Sequence, residues 1–380
     1  MPNNFNCCSN YFRVTCCPKP VKCRSRSPVC CRRCEPIVPI CCRRCDPIPD
    51  CSPVYPPICP PSITIRLDNQ NLVSNQLGVA PNIDPNLINS WGVLVDANRL
   101  VVANNGTGLI SYYTLEGGVL TNITVPSTLL GGTGNPTGIV KNNTLNFPIA
   151  PSFPAVYLVA TEDGTVAGFN SNYNSATAIT LVNRSSSGAI YKGLAITPNY
   201  LYVADFHNNR IDTFNSGFVL QSSVNFPFND PNIPPGFAPF NIVFLNGRLY
   251  VTYARQDVSA RDDVPGVGNG FINVFDTNGQ FIRRFASRGC LNSPWAIVAI
   301  PRSCHTSLEL ILVGNSGDGT ISIYNLNGSY LGKVRNFNDT DLIIDGLWGI
   351  AQLPVTNNIT LYTASGPNFE TNGLITRLTS

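Results

Sequence analysis

The sequence predicts an all-β protein: a six-bladed β-propeller preceded by a cysteine/proline-rich, largely irregular N-terminal segment. Three observations carry this expectation. A pattern of small-residue strand start, apolar strand, polar turn and third strand recurs six times, at intervals of about 46–55 residues, the range of propeller blades. Only 12% of the 380 residues are charged, about half the usual share, and Asn, Thr, Ser, Gly and Pro fill the gap. Runs of helix-forming residues are almost absent. A repeat of two or three short strands cannot bury its own apolar face, so the repeats must pack side by side.

The first region, residues 1–61, is set apart by composition. It holds nine Lys or Arg against three acids, so the remainder of a chain with net charge +3 is mildly acidic. Thirteen of the fifteen cysteines lie here: Cys7, Cys8, Cys16, Cys17, Cys23, Cys30, Cys31, Cys34, Cys41, Cys42, Cys45, Cys51 and Cys59. The run Cys30-Cys31-Arg32-Arg33-Cys34-Glu35-Pro36-Ile37 is repeated almost unchanged as Cys41-Cys42-Arg43-Arg44-Cys45-Asp46-Pro47-Ile48. Frequent proline removes backbone donors and apolar residues are few, so cross-links or a partner must order this stretch. Two readings compete. Cys31-x-x-Cys34 and Cys42-x-x-Cys45 form zinc-type knuckles, but the spacer between them is shorter than in zinc ribbons and the segment has no His. The alternative is a disulfide-linked anchor or addressing segment, whose odd cysteine count leaves one thiol for an intermolecular bond. The second is the expectation adopted, with an unstructured, reduced segment as the remaining alternative. No secretory leader is visible at the N-terminus, which is unusual for a cysteine-dense chain.

Residues 62–380 are expected to form the propeller. Ile63, Ile65 and Leu67 alternate with Thr64 and Arg66 as a half-buried strand. With no blade of its own, the strand at 63–67 is predicted to close the last blade as its outer strand. The six inner strands begin at Ser90-Trp91-Gly92, Pro136-Thr137-Gly138, Tyr191-Lys192-Gly193, Phe240-Asn241-Ile242, Pro294-Trp295-Ala296 and Leu347-Trp348-Gly349. Glycine at four of these sites fits strands crowding a central channel. The clearest hairpin is 201–214, LYVADFHNNRIDTF, with an Asn-rich turn between two β-prone runs.

The stretches NLVSNQLGVAPNIDPNLINSWGV, NPTGIV, ATEDGTVAGFN, LYVADFHNNRIDTF, DPNIPPGFAPFNI, RRFASRGCLNSPWAI, VGNSGDGTISIYN and IDGLWGI occur in one order between residues 71 and 378. Together they resemble a family of uncharacterised six-bladed, NHL-like propeller proteins of bacteria and mimivirus-like giant viruses. That family implies a fold and no established activity. The N-terminal segment resembles the cysteine-rich segments of giant-virus surface-fibril proteins. The resemblance implies delivery to the particle's outer layer, and oxidised cysteines without a leader because such viruses carry their own thiol oxidases.

Chemistry-bearing residues are sparse. His207, beside Asp205 and Asn208, is a candidate base oriented by Asp205, or a hydrogen-bonded turn residue. His305 sits beside Cys304 in a loop without a clear place. Asp84, Glu162, Asp163, Asp205, Asp257, Asp318 and Asp345 fall near equivalent blade ends, where Asp also caps turns. Lactonase-like propellers hold an axial Ca²⁺ among such groups, making Asn241, Asp205 and Asp257 the metal candidates. Against this, Lys192 near the axis repels a cation and Trp91 stands where the first inner-strand acid is expected. Trp91, Trp295 and Trp348 occupy matching positions and read as channel packing. The polar insertion 257–270, crowded by Arg255, Asp257, Arg261, Asp262 and Asp263, reads equally as a partner loop or as a solvated ion-pair cluster. Sequons at Asn122, Asn142, Asn183, Asn327, Asn338 and Asn358 are possible sugar sites.

The expected function is a non-enzymatic structural or interaction protein of a giant-virus outer fibril layer, or an extracellular protein if not viral. Its partners are other virion surface proteins or copies of itself, joined through the cysteine-rich segment, with glycans as a further class. A Ca²⁺-dependent lactonase- or lyase-like enzyme and a sugar- or peptide-binding propeller are the alternatives. The body has no basic patch for nucleic acid, and no run of about 18 apolar residues for a membrane span.

Overall fold

A computed structural model describes residues 63–129, 131–301, 309–353 and 358–380. The thirteen N-terminal cysteines and the Cys304-His305 pair lie outside the described residues. The described chain is a six-bladed propeller. Blade one runs outward from the axis as Ser90–Asp96, Arg99–Asn104, Leu109–Thr114 and Val119–Thr124. Each neighbouring pair is antiparallel. Apolar residues at alternate positions enter the seams between blades, so Val101, Ala103 and Ile110 of blade one share a buried cluster with Tyr157, Val159 and Phe169 of blade two. Leu100 and Val102, on the other face, enter the seam with blade six beside Tyr362 and Ala364, so the run is apolar throughout, as a strand buried between two sheets requires.

The remaining inner strands are Pro136–Lys141, Tyr191–Ile196, Phe237–Leu245, Pro294–Ile300 and Leu347–Gln352. Successive inner strands touch, and the sixth touches the first, so the ring is closed. Glycine permits this approach. A Cβ on Gly92 would stand 2.8 Å from the Thr137 carbonyl oxygen, and one on Gly138 would stand 3.0 Å from the Gly193 Cα.

Two features depart from expectation. The closing strand is not 63–67. Only Ile65–Arg66 is a strand there, and it lies parallel to Val334 and Arg335 at the edge of blade five. The fourth strand of blade six is Asp68–Ser74, antiparallel to Leu374–Thr379, with the two-residue strand Asn82–Ile83 added parallel outside it. The apolar alternation at Ile65 and Leu67 is real and both are buried, but it marks packing beneath the rim with Val334 and Leu378. A blade's outermost strand needs ladder hydrogen bonds rather than a second apolar face, so the polar run Asp68-Asn69-Gln70-Asn71 serves. Blade three has only three strands, Tyr191–Ile196, Tyr200–Asp205 and Arg210–Asn215.

Candidate functional site: the sealed axial mouth

In every blade the ladder between the inner strand and its neighbour slips by one residue near the inner strand's start. Tyr191 pairs with Asp205 but Gly193 with Ala204, which leaves Lys192 extra. The same slip leaves Phe240, Trp295 and Trp348 extra in blades four, five and six. In blades one and two it spans Trp91-Gly92 and Thr137-Gly138. A bulge re-aims the side chain of its extra residue. Here five of the six converge across the ring. Trp91 stacks on Trp348 with centroids 3.5 Å apart, and Trp295 meets both edge-on at 5.9 and 6.1 Å. Phe240 packs on Trp348 at 5.9 Å. The Lys192 ammonium lies 5.1 Å over the Trp91 ring. Thr137 instead turns to the wall, where its hydroxyl donates to the carbonyls of Ala160 and Tyr191. Edge-to-face and offset contacts between such rings add to their area burial, and a cation over an indole face adds more.

Above this plug lies a polar belt in which Asn105, Glu162, Asp262 and Glu370, from loops between second and third strands, meet Lys192 and Asn89 from the starts of inner strands. Lys192 Nζ bonds Glu162 Oε1 at 2.5 Å and Asp262 Oδ1 at 3.0 Å. The Glu162 side chain is also held by Asn105 Nδ2 at 3.0 Å, while Asn89 Nδ2 donates to Asn105 and to Glu370 Oε2. The indole N–H of Trp348 donates to Asn89, tying belt to plug. The chain Glu370–Asn89–Asn105–Glu162–Lys192–Asp262 therefore links blades six, one, two, three and four. Glu370 reaches inward because Asn368, Phe369 and Glu370 take left-handed φ values of 57°, 54° and 64° in succession, which also leaves Phe369 96% exposed. Each such residue costs about 1–2 kcal/mol, so the belt offsets considerable backbone strain.

Burial alone would raise the Glu162 carboxyl, but the Lys192 charge and hydrogen bond, with Asn105, hold it below the usual range. Glu370 moves the other way, raised by burial and then by the Glu162 charge. A raised carboxylate weakens the fold as pH climbs from the ordinary glutamate value through its folded value. Glu370→Gln keeps an acceptor for Asn89 and removes that cost. It is expected to stabilise the protein at pH 7 by about 0.5–1 kcal/mol, the scale of a single favourable change. The gain should vanish near pH 4 in thermal melts.

The sequence-predicted residues are placed as follows. Asp205 is buried, accepts from the Ile190 amide and from Asn208 as a turn cap, and forms an ion pair with the Arg210 guanidinium at 3.0 Å. His207 is exposed, and no hydrogen bond joins its ring to Asp205 among the described residues. Asp257 caps its own loop, accepting from Ser259 and the amides of Arg261 and Asp262. Asn241 is one residue past the axial ring, at the position that glycine takes in four other blades and Ala296 in blade five, where it donates to the Trp295 carbonyl. These residues do not meet, and no three His, Cys, Asp or Glu among the described residues are grouped to hold a metal. An axial Ca²⁺ does not fit at this mouth: indole rings fill it, and the ammonium of Lys192 already neutralises the nearest carboxylates. Sequence reasoning missed Asn89, Asn105 and Glu370. It also missed that the x-Gly step at Trp91, Thr137, Lys192 and Trp348 marks the bulge.

Fold and mouth together define a six-bladed propeller plugged at one axial mouth; beyond the plug the inner strands line a cavity of about 360 Å³, bordered by Gly92, Gly138, Leu194, Asn241, Trp295 and Gly349. Among solved structures it is similar to a glucose dehydrogenase, with TM-score 0.51 and 11% identity over 82% of this chain and 99% of that one. It is also similar to the calcium-binding protein regucalcin of Agrobacterium tumefaciens, with TM-score 0.50 and 10% identity over 82% of this chain and 94% of that one. These likenesses concern the fold alone. The chain belongs to a family of uncharacterised proteins of Acanthamoeba polyphaga mimivirus. One member is 36% identical over 303 residues, 77% of this chain and 75% of the relative. Another is 35% identical over 316 residues, 80% of this chain and 83% of the relative. No protein-family model matches.

Proposed function

We propose that this protein is a non-enzymatic structural component of a giant-virus outer layer, with the propeller as a rigid display module and the cysteine-rich segment as its addressing and cross-linking device. The observation that carries this reading is the plug. At the belt end of the axis Trp91, Trp295 and Trp348 are 2%, 4% and 5% exposed and locked beneath an ion-paired belt, so no substrate reaches the channel from that side. Kinship to mimivirus proteins supports a viral setting. Cys290 is disulfide-bonded, which supports an oxidising one.

Purified particles of the encoding virus, run on reducing and non-reducing gels and identified by mass spectrometry, test the proposal. The expected result is a chain of 41.1 kDa after reduction and larger species without it. Absence from particles, or a monomer under both conditions, contradicts it.

A further inference from the structure

Blade three lacks its fourth strand for a visible reason. After the strand Arg210–Asn215 the chain turns back, and the Gln221 amide donates to the Thr213 carbonyl at 2.8 Å. It then leaves the edge. The amides of Asn225 and Phe226 turn to Ser222, and Pro227, Pro231, Pro234 and Pro235 follow, none of which can donate to a ladder. The aborted strand leaves a cleft of about 820 Å³ between that edge and the proline-rich wall.

The cleft is equipped for one kind of guest. Since Thr213 and Asn215 point their backbone groups outward, so does Ile211, two residues earlier. Its outward N–H and C=O have no backbone partner among the described residues. The Thr213 hydroxyl lines the same cleft, belongs to a residue that is 2% exposed, and has no hydrogen-bond partner among the described residues. Buried polar groups and strand edges left open in this way are costly, and an added strand satisfies them. The walls differ in chemistry. Ile211 belongs to the apolar cluster of Phe226, Phe228 and Tyr253. On the opposite side Arg184 and Arg210 share Asp212, at 3.7 and 2.9 Å, yet the Nε groups of both make no aligned hydrogen bond among the described residues.

We propose that this cleft binds an extended peptide segment of a partner protein as the missing fourth strand of blade three. The bound strand exchanges hydrogen bonds with Ile211 and with the Thr213 hydroxyl. It places apolar side chains against Phe226 and Phe228, and on the alternate face an acidic side chain between Arg184 and Arg210. Strand addition takes its affinity from main-chain bonds and its specificity from such alternate pockets. The inference goes beyond the display role proposed above and does not need it.

A displayed library of random octapeptides, panned against the full chain, tests this. Enriched sequences should alternate apolar with polar residues and carry an acid on the polar face. A synthetic copy of the leading peptide should slow hydrogen exchange of the Ile211 amide at least tenfold. Its affinity should fall about fivefold or more with Arg184→Gln and with Thr213→Val, variants that leave the ladder to the neighbouring strand intact. Failure to enrich any such peptide overturns the proposal. So does binding unaffected by both substitutions, or protection that maps to the axial mouth while Ile211 exchanges as before.

Discussion

Lys192→Met is expected to lower stability by about 3–5 kcal/mol, the cost of stripping one partner from a buried ion pair. The methionine replaces the stem of a side chain that is only 1% exposed, so packing changes little. What changes is the Glu162 carboxylate, itself 9% exposed. It would keep the Asn105 amide, with Arg261 no closer than 3.9 Å. Two controls follow. Lys192→Met with Glu162→Gln removes both charges and should recover most of the loss, since a neutral pair has no charge to desolvate. The pH dependence also has a fixed sign. In the wild type, Glu162 is held below its ordinary value, so its contribution is present above that value and is lost as pH falls through the folded pKa. Burial would lower the Lys192 ammonium, but Glu162 and Asp262 more than offset it and raise it. Its contribution is therefore present below the ordinary lysine value and lost as pH rises through the folded one. In the single variant the deficit should narrow towards pH 4, where Glu162 accepts a proton. Denaturant melts across pH 4–8 would show a parallel offset instead if the effect were one of packing.

The second large effect is at the seam between the last blade and the first. Gly349→Ala is expected to cost about 3 kcal/mol, the upper end for overpacking a tight core. A Cβ there would stand 2.3 Å from the Trp91 carbonyl oxygen and 2.9 Å from Val93 Cγ1. The first contact is with backbone, so no rotamer relieves it, and movement must pass into the stacked Trp91–Trp348 pair. Gly217→Ala makes the control, because its nearest neighbour would be a side-chain oxygen at 3.5 Å. That change should be neutral within about 0.5 kcal/mol. Equal melting shifts for the two would show that the inner strands have room to part.

The propeller was legible because its signals repeat. Six apolar strands at a fixed spacing, and glycine where inner strands touch, follow from burial between sheets and from close backbone approach. The misplaced closing strand shows the limit. Ile65 and Leu67 carry the apolar pattern of a strand, whereas Asp68-Asn69-Gln70-Asn71 makes the ladder through backbone groups that composition does not reveal. The axial ring was half legible. Trp91, Lys192 and Trp348 were recognised as inner residues, but Asn241 was aligned with Lys192 although Phe240 is its true counterpart. A one-residue bulge is decided by hydrogen-bond register, and blade four has no glycine after the bulged residue to signal it. Glu370 was invisible for a different reason: three consecutive left-handed residues, none of them glycine, bring it to Asn89.

The central claim is that one residue from each of five bulges closes the axis. The chain has three tryptophans, and all three are in the plug, so their fluorescence reports on nothing else. Acrylamide quenching of the full-length protein is the direct measurement. A blue-shifted emission that acrylamide barely reaches, becoming accessible only on unfolding, is the result this account requires. Red-shifted emission in the native state, quenched as readily as that of free tryptophan, would mean an open channel and would contradict it.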